Sequence, residues 1–266
     1  SQVAAVDEIL ADMAGDERML RLLQGDVGSG KTLVALMAML ATVEDGKQAV
    51  LLAPTELLAR QHHASLQVMA APAGIEITLL TGRDKGKARA EKLAALANGR
   101  SALAVGTHAL IQDDVAFRDL AMAVIDEQHR FGVHQRLALT SKSKGVHVLV
   151  MTATPIPRTL QMTTYGDLDV SQLREKPAGR MPVETRAMPL DRLDDLMKAV
   201  GRAIGQGDRV YWLCPLVEDS EDSDLAAAEE RHKSLQILYG DRVGLIHGRM
   251  KGPERDEVME RFVAGV

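Results

Sequence analysis

The stretch "GDVGSGKT", Gly25 to Thr32, restricts the fold more than any other. The apolar run "RLLQ" (21–24) precedes it, and the helix-like "TLVALMAMLATV" (32–43) follows. The spacing fits G-x-x-x-x-G-K-[ST], a glycine-rich turn between a strand and a helix. Glycines let the backbone turn tightly, so that successive N–H groups face inward. The helix N-terminus adds partial positive charge at the same place. A concavity of this kind suits phosphate oxygens. Gly25, Asp26, Val27, Gly28, Ser29, Gly30, Lys31 and Thr32 are therefore the candidate nucleotide-binding residues. Lys31 is expected to reach the β- and γ-phosphates, and Thr32 to offer its hydroxyl to Mg²⁺. The plain alternative is a glycine-rich turn that starts a helix.

The rest of the chain repeats the strand-then-helix rhythm. "AVLLA" (49–53), "ITLLT" (77–81), "ALAVGT" (102–107), "AMAVID" (121–126) and "VHVLVMT" (146–152) are short, nearly continuous apolar runs. Helix-like segments such as "ELLARQHHASLQVM" separate them. Continuous apolar strands imply a parallel sheet buried on both faces, so the class is α/β. "REKPAGRMPVE" (174–184), with two prolines and a glycine, reads as a linker. The pattern then restarts, with strands expected at "RVYWLCPL" and "RVGLIHG" between three helices. The expected division is a first unit over 1–175, a linker over 176–185 and a second unit over 186–266.

Composition bounds the function. Hydrophobic residues make up 46% and aromatic residues 3%, so the core must be aliphatic and rich in methionine. The single cysteine, Cys214, excludes an internal disulfide framework and a cysteine-rich metal site. It fits a reducing compartment, and a cytoplasmic location is expected. No run reaches the length of a membrane span. The net charge of −5 falls entirely on residues 183–266. Any nucleic-acid surface must therefore be a local stripe of backbone amides and a few basic groups. The chain opens on Ser1 with no secretory pattern, and is expected to be an excised piece.

A phosphate loop that serves hydrolysis needs an acid for the metal and a base for the attacking water. Asp126 and Glu127 stand at the end of the run "AMAVID" and open "DEQHRFG". Asp126 would hold Mg²⁺ and Glu127 would polarise the water. A solvated strand end or a helix cap is the alternative.

"GDVGSGKT", "APTELLARQ", "DEQHRFG" and "TATPIPRT" occur in that order. Together they resemble motifs I, Ia, II and III of superfamily 2 helicases. "DEQHRFGV" with "MTATPIPRTL" is similar, more narrowly, to the RecG family of ATP-dependent DNA branch-migration helicases. The transcription-repair coupling factor also looks similar, but usually has a second glutamate at the position of Gln128 and an aromatic at that of Ser29.

The resemblance implies two RecA-like units, the second truncated, that bind ATP and Mg²⁺ and act as a monomer on branched double-stranded DNA. Lys31, Asp126 and Glu127 would be catalytic, with Thr32 and Asp126 on the metal. Gln128 and His129 would couple to Thr152, Ala153 and Thr154. DNA phosphates would meet Pro54, Thr55, Arg60 and Gln61, then Thr81 and Gly82, then Gly106, Thr107 and His108, with His247 and Gly248 in the second unit. For each of these turns an ordinary strand-end or helix-cap role is the alternative. For Arg130 and Phe131 it is a carboxylate pair and core packing. Motifs V and VI, whose arginines reach the γ-phosphate in this family, are not in the chain. A P-loop kinase or nucleotide switch is the more distant reading.

Overall fold

The structure, a computed structural model, describes residues 1–126, 145–154, 168–175, 181, 183–214 and 221–265, with the backbone alone over 221–227. It divides into two compact units, Ser1–Met181 and Pro182–Val266.

The first unit holds a parallel sheet of seven strands. In chain order they are β1 (Leu20–Gly25), β2 (Gln48–Leu52), β3 (Ile77–Leu80), β4 (Leu103–Gly106), β5 (Leu120–Asp126), β6 (His147–Thr152) and β7 (Asp169–Leu173). Their order across the sheet is β3-β4-β2-β5-β6-β1-β7. Helices α1 (Gln2–Met13), α2 (Lys31–Glu44), α3 (Glu56–Ala70) and α4 (Gly86–Ala97) flank it.

Neighbouring residues of one strand enter different cores. Leu23, Leu51, Val124 and Leu149 pack with Ile9 of α1, Met39 of α2 and Leu66 of α3. Leu22, Val50, Ile125 and Val150 pack with Leu96 of α4 and with Leu110. This is why the strands read as unbroken apolar runs and not as alternation. Burying each such side chain contributes roughly 1.5–3 kcal/mol. β7 does not show in the sequence as a strand. Asp169, Ser171 and Gln172 interrupt its apolar residues, and at the sheet edge it pairs with β1 alone among the described strands.

Because every pair is parallel, all strand ends share one edge. Leu52 lies opposite both Gly106 and Ile125, Asp126 opposite Met151, and Gln24 opposite Thr152. Loops leaving that edge are therefore brought side by side.

The opposite edge is pinned by buried polar groups. The Gln48 amide donates to the carbonyls of Leu96 (2.9 Å) and Ser101 (2.7 Å) and accepts from the Asp119 N–H (2.9 Å). Arg21, 8% exposed, donates to Asp12 (2.7 Å), to Glu8 (3.4 Å) and to Ser171 (3.0 Å), which ties α1 to β1 and β7.

His147 sits at the same edge and accepts the Met19 N–H at Nδ1 (3.0 Å). Burial lowers its pKa below the ordinary 6.5, Lys47 lowers it further, and Asp12 offsets part of this. A histidine lowered on folding binds its proton first in the unfolded chain. Its contribution to stability is whole above the ordinary value and is lost as pH falls through the folded one. The urea midpoint of the wild type should therefore fall more between about pH 7.5 and about pH 5.5 than that of His147→Asn, whose amide oxygen still accepts but does not titrate. Parallel losses in the two proteins would remove His147 as the cause.

In the second unit the described residues form α5 (Leu193–Gly205), α6 (Glu221–Tyr239) and α7 (Gly252–Ala264). Tyr211 packs on Phe262 with ring centroids 4.6 Å apart, and the Arg231 guanidinium lies 5.5 Å from the Trp212 ring centre. The two strands expected here are not observed. Residues 208–214 and 243–247 form no ladder. Tyr211 and Leu213 are 68% and 86% exposed. Two short runs without a partner strand among the described residues neither bury both faces nor close enough hydrogen bonds to hold a sheet.

Candidate nucleotide and nucleic-acid site

The phosphate loop joins β1 to α2, as its spacing predicts. Gly28 and Gly30 adopt φ of 79° and 92°, conformations that favour glycine. A side chain at Gly25 would meet Ser29 Oγ at 2.6 Å and Leu173 Cβ at 2.8 Å. The Lys31 ammonium donates to the carbonyls of Gly25 (2.7 Å) and Asp26 (3.0 Å), so it lies across the loop mouth. The Asp26 carboxylate accepts the Val27 N–H (2.8 Å). Gln2, the first residue of α1, donates from Nε2 to the Ser29 carbonyl (2.8 Å). The chain's first helix is thereby attached to the loop.

Asp126 ends β5, is 8% exposed, and shares a 2.7 Å hydrogen bond between its Oδ2 and Nε2 of His62 on α3. Glu127, Gln128, His129, Arg130 and Phe131 lie outside the described residues. Thr32, in the first turn of α2, and Asp126 offer a hydroxyl and a carboxylate. That is the all-oxygen chemistry a magnesium ion takes. Among the described residues no three His, Cys, Asp or Glu side chains converge on one point. A cation here would thus take few protein ligands and complete its shell with phosphate and water, as magnesium commonly does.

At the end of β6 the Thr152 and Thr154 hydroxyls are 2.9 Å apart, and Thr152 Oγ1 accepts the Thr154 N–H (3.1 Å). Gln24, directly before the phosphate loop, donates to the Thr154 carbonyl (3.1 Å) and accepts from Gln172 (3.2 Å). The segment with Thr152, Ala153 and Thr154 is therefore joined to β1 by Gln24. Its expected partners Gln128 and His129 lie outside the described residues.

The turns expected to contact DNA follow β2, β3 and β4. Pro54 and Thr55 lead into α3, and the Thr55 hydroxyl caps that helix by accepting the Leu58 N–H (3.3 Å). Arg60 and Gln61 are exposed. Glu56 holds Arg60 (2.8 Å) through one oxygen and Arg83 (3.0 Å) through the other. Two guanidinium groups, one from the helix after β2 and one from the turn after β3, are thus set by one carboxylate.

Thr81 is buried, and its N–H donates to Asp84 Oδ2 (2.7 Å) beside exposed Gly82. Burial raises the Asp84 carboxyl, but the Lys92 and Thr81 hydrogen bonds and the Lys92 charge outweigh it and hold the group below its usual range. Gly106 has a structural reason of its own, since a side chain there would lie 2.1 Å from the Leu80 carbonyl oxygen. Thr107 is buried and caps a short turn, while His108 is exposed. In the second unit, His247 and Gly248 form a turn closed by the Met250 N–H on the His247 carbonyl (3.2 Å). They share no strand end with the first unit's ladder.

Arg83 opens the basic stretch 83–92, for which a solvated helix face or a phosphate-binding edge is expected, whereas His62, Gln24 and Glu56 are functional candidates that motif reading passes over. His62 alone left a trace in the sequence. It falls on the buried stripe of α3 with Ala59, Leu66 and Ala70, where an imidazole is out of place unless it has a partner.

A family model for DEAD/DEAH box helicases matches residues 1–163, and the chain belongs to that family. This membership removes the kinase or switch reading. Within the family, the chain is 51% identical over its whole length to the ATP-dependent DNA helicase RecG of Escherichia coli K12 and 46% identical over 99% of its length to that of Bacillus subtilis 168. It spans 39% of the length of each. Among solved structures, RecG bound to a three-way DNA junction superposes with a TM-score of 0.79 at 39% identity, over 99% of this chain and 34% of that one. Yeast Dbp5 bound to RNA and ADP–BeF3 superposes at 0.66 with 16% identity, over 98% of this chain and 67% of that one, a likeness of fold alone. No described helix is long and apolar enough to cross a membrane.

Proposed function

We propose that this chain is the ATP-driven motor of a RecG-type helicase that moves along branched DNA. One observation carries the reading. The phosphate loop, the Asp126 carboxylate and the Thr152–Thr154 segment leave the ends of three adjacent strands, β1, β5 and β6, while the candidate DNA turns leave β2, β3 and β4 along the same edge. The site that spends ATP and the track for a nucleic-acid backbone are then built on one rigid sheet.

The loop amides and Lys31 bind and orient the phosphates. Thr32 and Asp126 hold Mg²⁺, which when bound neutralises charge on the β- and γ-phosphate oxygens. Glu127 accepts the proton of the attacking water. The Gln24–Thr154 bond makes β6 sensitive to the state of the loop. Arg60, Arg83 and the exposed backbone beside Gly82 and His108 meet DNA phosphates, contacts that position the duplex without reading its bases. The functional boundaries are a motor unit over 1–175, a linker over 176–185 and a second motor unit from 186. The protein acts as a monomer in the cytoplasm.

The test is the steady-state ATPase of the full-length protein with no DNA, linear duplex, or a three-way junction of equal length. Turnover should rise with DNA and rise most with the junction. Equal rates in all three would sink the reading.

A further inference from the structure

We infer that His62 is a positioning residue for the metal-holding carboxylate, fixing Asp126 from the helix that also carries the DNA-facing Arg60 and Gln61. The inference rests on the reading of Asp126 as the metal acid.

The 2.7 Å bond between His62 Nε2 and Asp126 Oδ2 joins two side chains that are 14% and 11% exposed. Among the described residues, His62 is the only side chain hydrogen-bonded to Asp126. The last torsion of an aspartate is soft, so a carboxylate at a strand end turns unless something holds one oxygen. An N–H on Oδ2 stops that rotation and leaves Oδ1 free for a cation or its water. Carboxylates that ligate metals are commonly held in this way, and losing the holding group typically costs about 10–100-fold in metal affinity or activity.

The imidazole does not reach Asp126 along the chain. It comes across the sheet surface from α3, 64 residues away in sequence. α3 starts at the Thr55 cap, and one turn later presents Arg60 and Gln61 to solvent with His62 turned inward. Its neighbour His63 bonds the Ile77 carbonyl of β3 (2.9 Å), which fixes the helix rotation that aims His62. One helix thus supplies both the outward Arg60 and Gln61 and the inward N–H that sets the metal acid.

The experiment uses the full-length protein, wild type and His62→Ala, His62→Gln and Asp126→Ala, with a fluorescent ATP analogue as the probe. The analogue is titrated in EDTA and then across Mg²⁺ concentrations, and ATPase is measured against Mg²⁺ in parallel. His62→Ala should bind the analogue in EDTA like the wild type, but need about 10–100-fold more Mg²⁺ for half-saturation in both readouts. His62→Gln places an amide N–H near the same point and should recover most of that shift. A loss of packing alone would not be rescued by an amide, nor confined to the Mg²⁺ dependence. Unshifted half-saturation in His62→Ala, with Asp126→Ala shifted, overturns the role of His62 and leaves the metal acid standing. Unshifted half-saturation in Asp126→Ala overturns the metal-acid reading itself. Should His62→Ala not fold, a His62→Gln protein that folds but fails to hold wild-type half-saturation overturns the inference.

Discussion

Replacing Lys31 by alanine is expected to weaken ATP binding about 10–100-fold and leave the fold intact. The ammonium now bonds the carbonyls of Gly25 and Asp26 at 2.7 and 3.0 Å. It lies at the loop mouth and belongs to neither apolar core. On the proposed reading, nucleotide would exchange those carbonyls for phosphate oxygens and let the ammonium form charge-assisted bonds. Hydrogen bonds to charged groups contribute roughly 1.5–3 kcal/mol each, and about 1.4 kcal/mol is tenfold in affinity. The measurement is a titration with a fluorescent ATP analogue, with the thermal midpoint recorded for both proteins. Superimposable titrations would mean that the loop does not hold phosphates through this residue.

A second large effect is expected from Glu127→Gln. The amide keeps the size and hydrogen-bonding reach of the side chain but cannot take a proton. Losing a general base costs about 100-fold or more in turnover. In the full-length protein the variant should bind ATP as the wild type does and hydrolyse it at least ~100-fold more slowly. Asp126, the adjacent residue, ends β5 at the edge where the phosphate loop begins. Undiminished turnover would move the base elsewhere.

What the sequence revealed depended on how local the signal was. The phosphate loop is eight consecutive residues whose glycines are required by backbone geometry alone, so pattern and structure coincide there. Strands β1 to β6 were legible because both their faces are buried. β7 was not, because its polar residues reflect an edge position set by the pairing with β1, a fact of topology. The turns after β3 and β4 were found, but part of their chemistry is local: Thr81 is engaged by Asp84, and Gly106 is needed where the Leu80 carbonyl passes. Gln24 was invisible as a site residue because its partner Thr154 comes from another element, and the link of His62 to Asp126 was hidden for the same reason. The expected strands of the second unit show the reverse error. "RVYWLC" and "RVGLIH" have the right composition, yet a ladder also needs neighbours.

Trp212 is the only tryptophan in the chain and lies in the second unit, beneath the Arg231 guanidinium. Excitation at tryptophan wavelengths therefore reads out from a residue of the second unit. An emission change on adding nucleotide would report a change in the surroundings of Trp212. The molecule thus carries an optical label on one half only, which lets the response of that half be followed without attaching a dye.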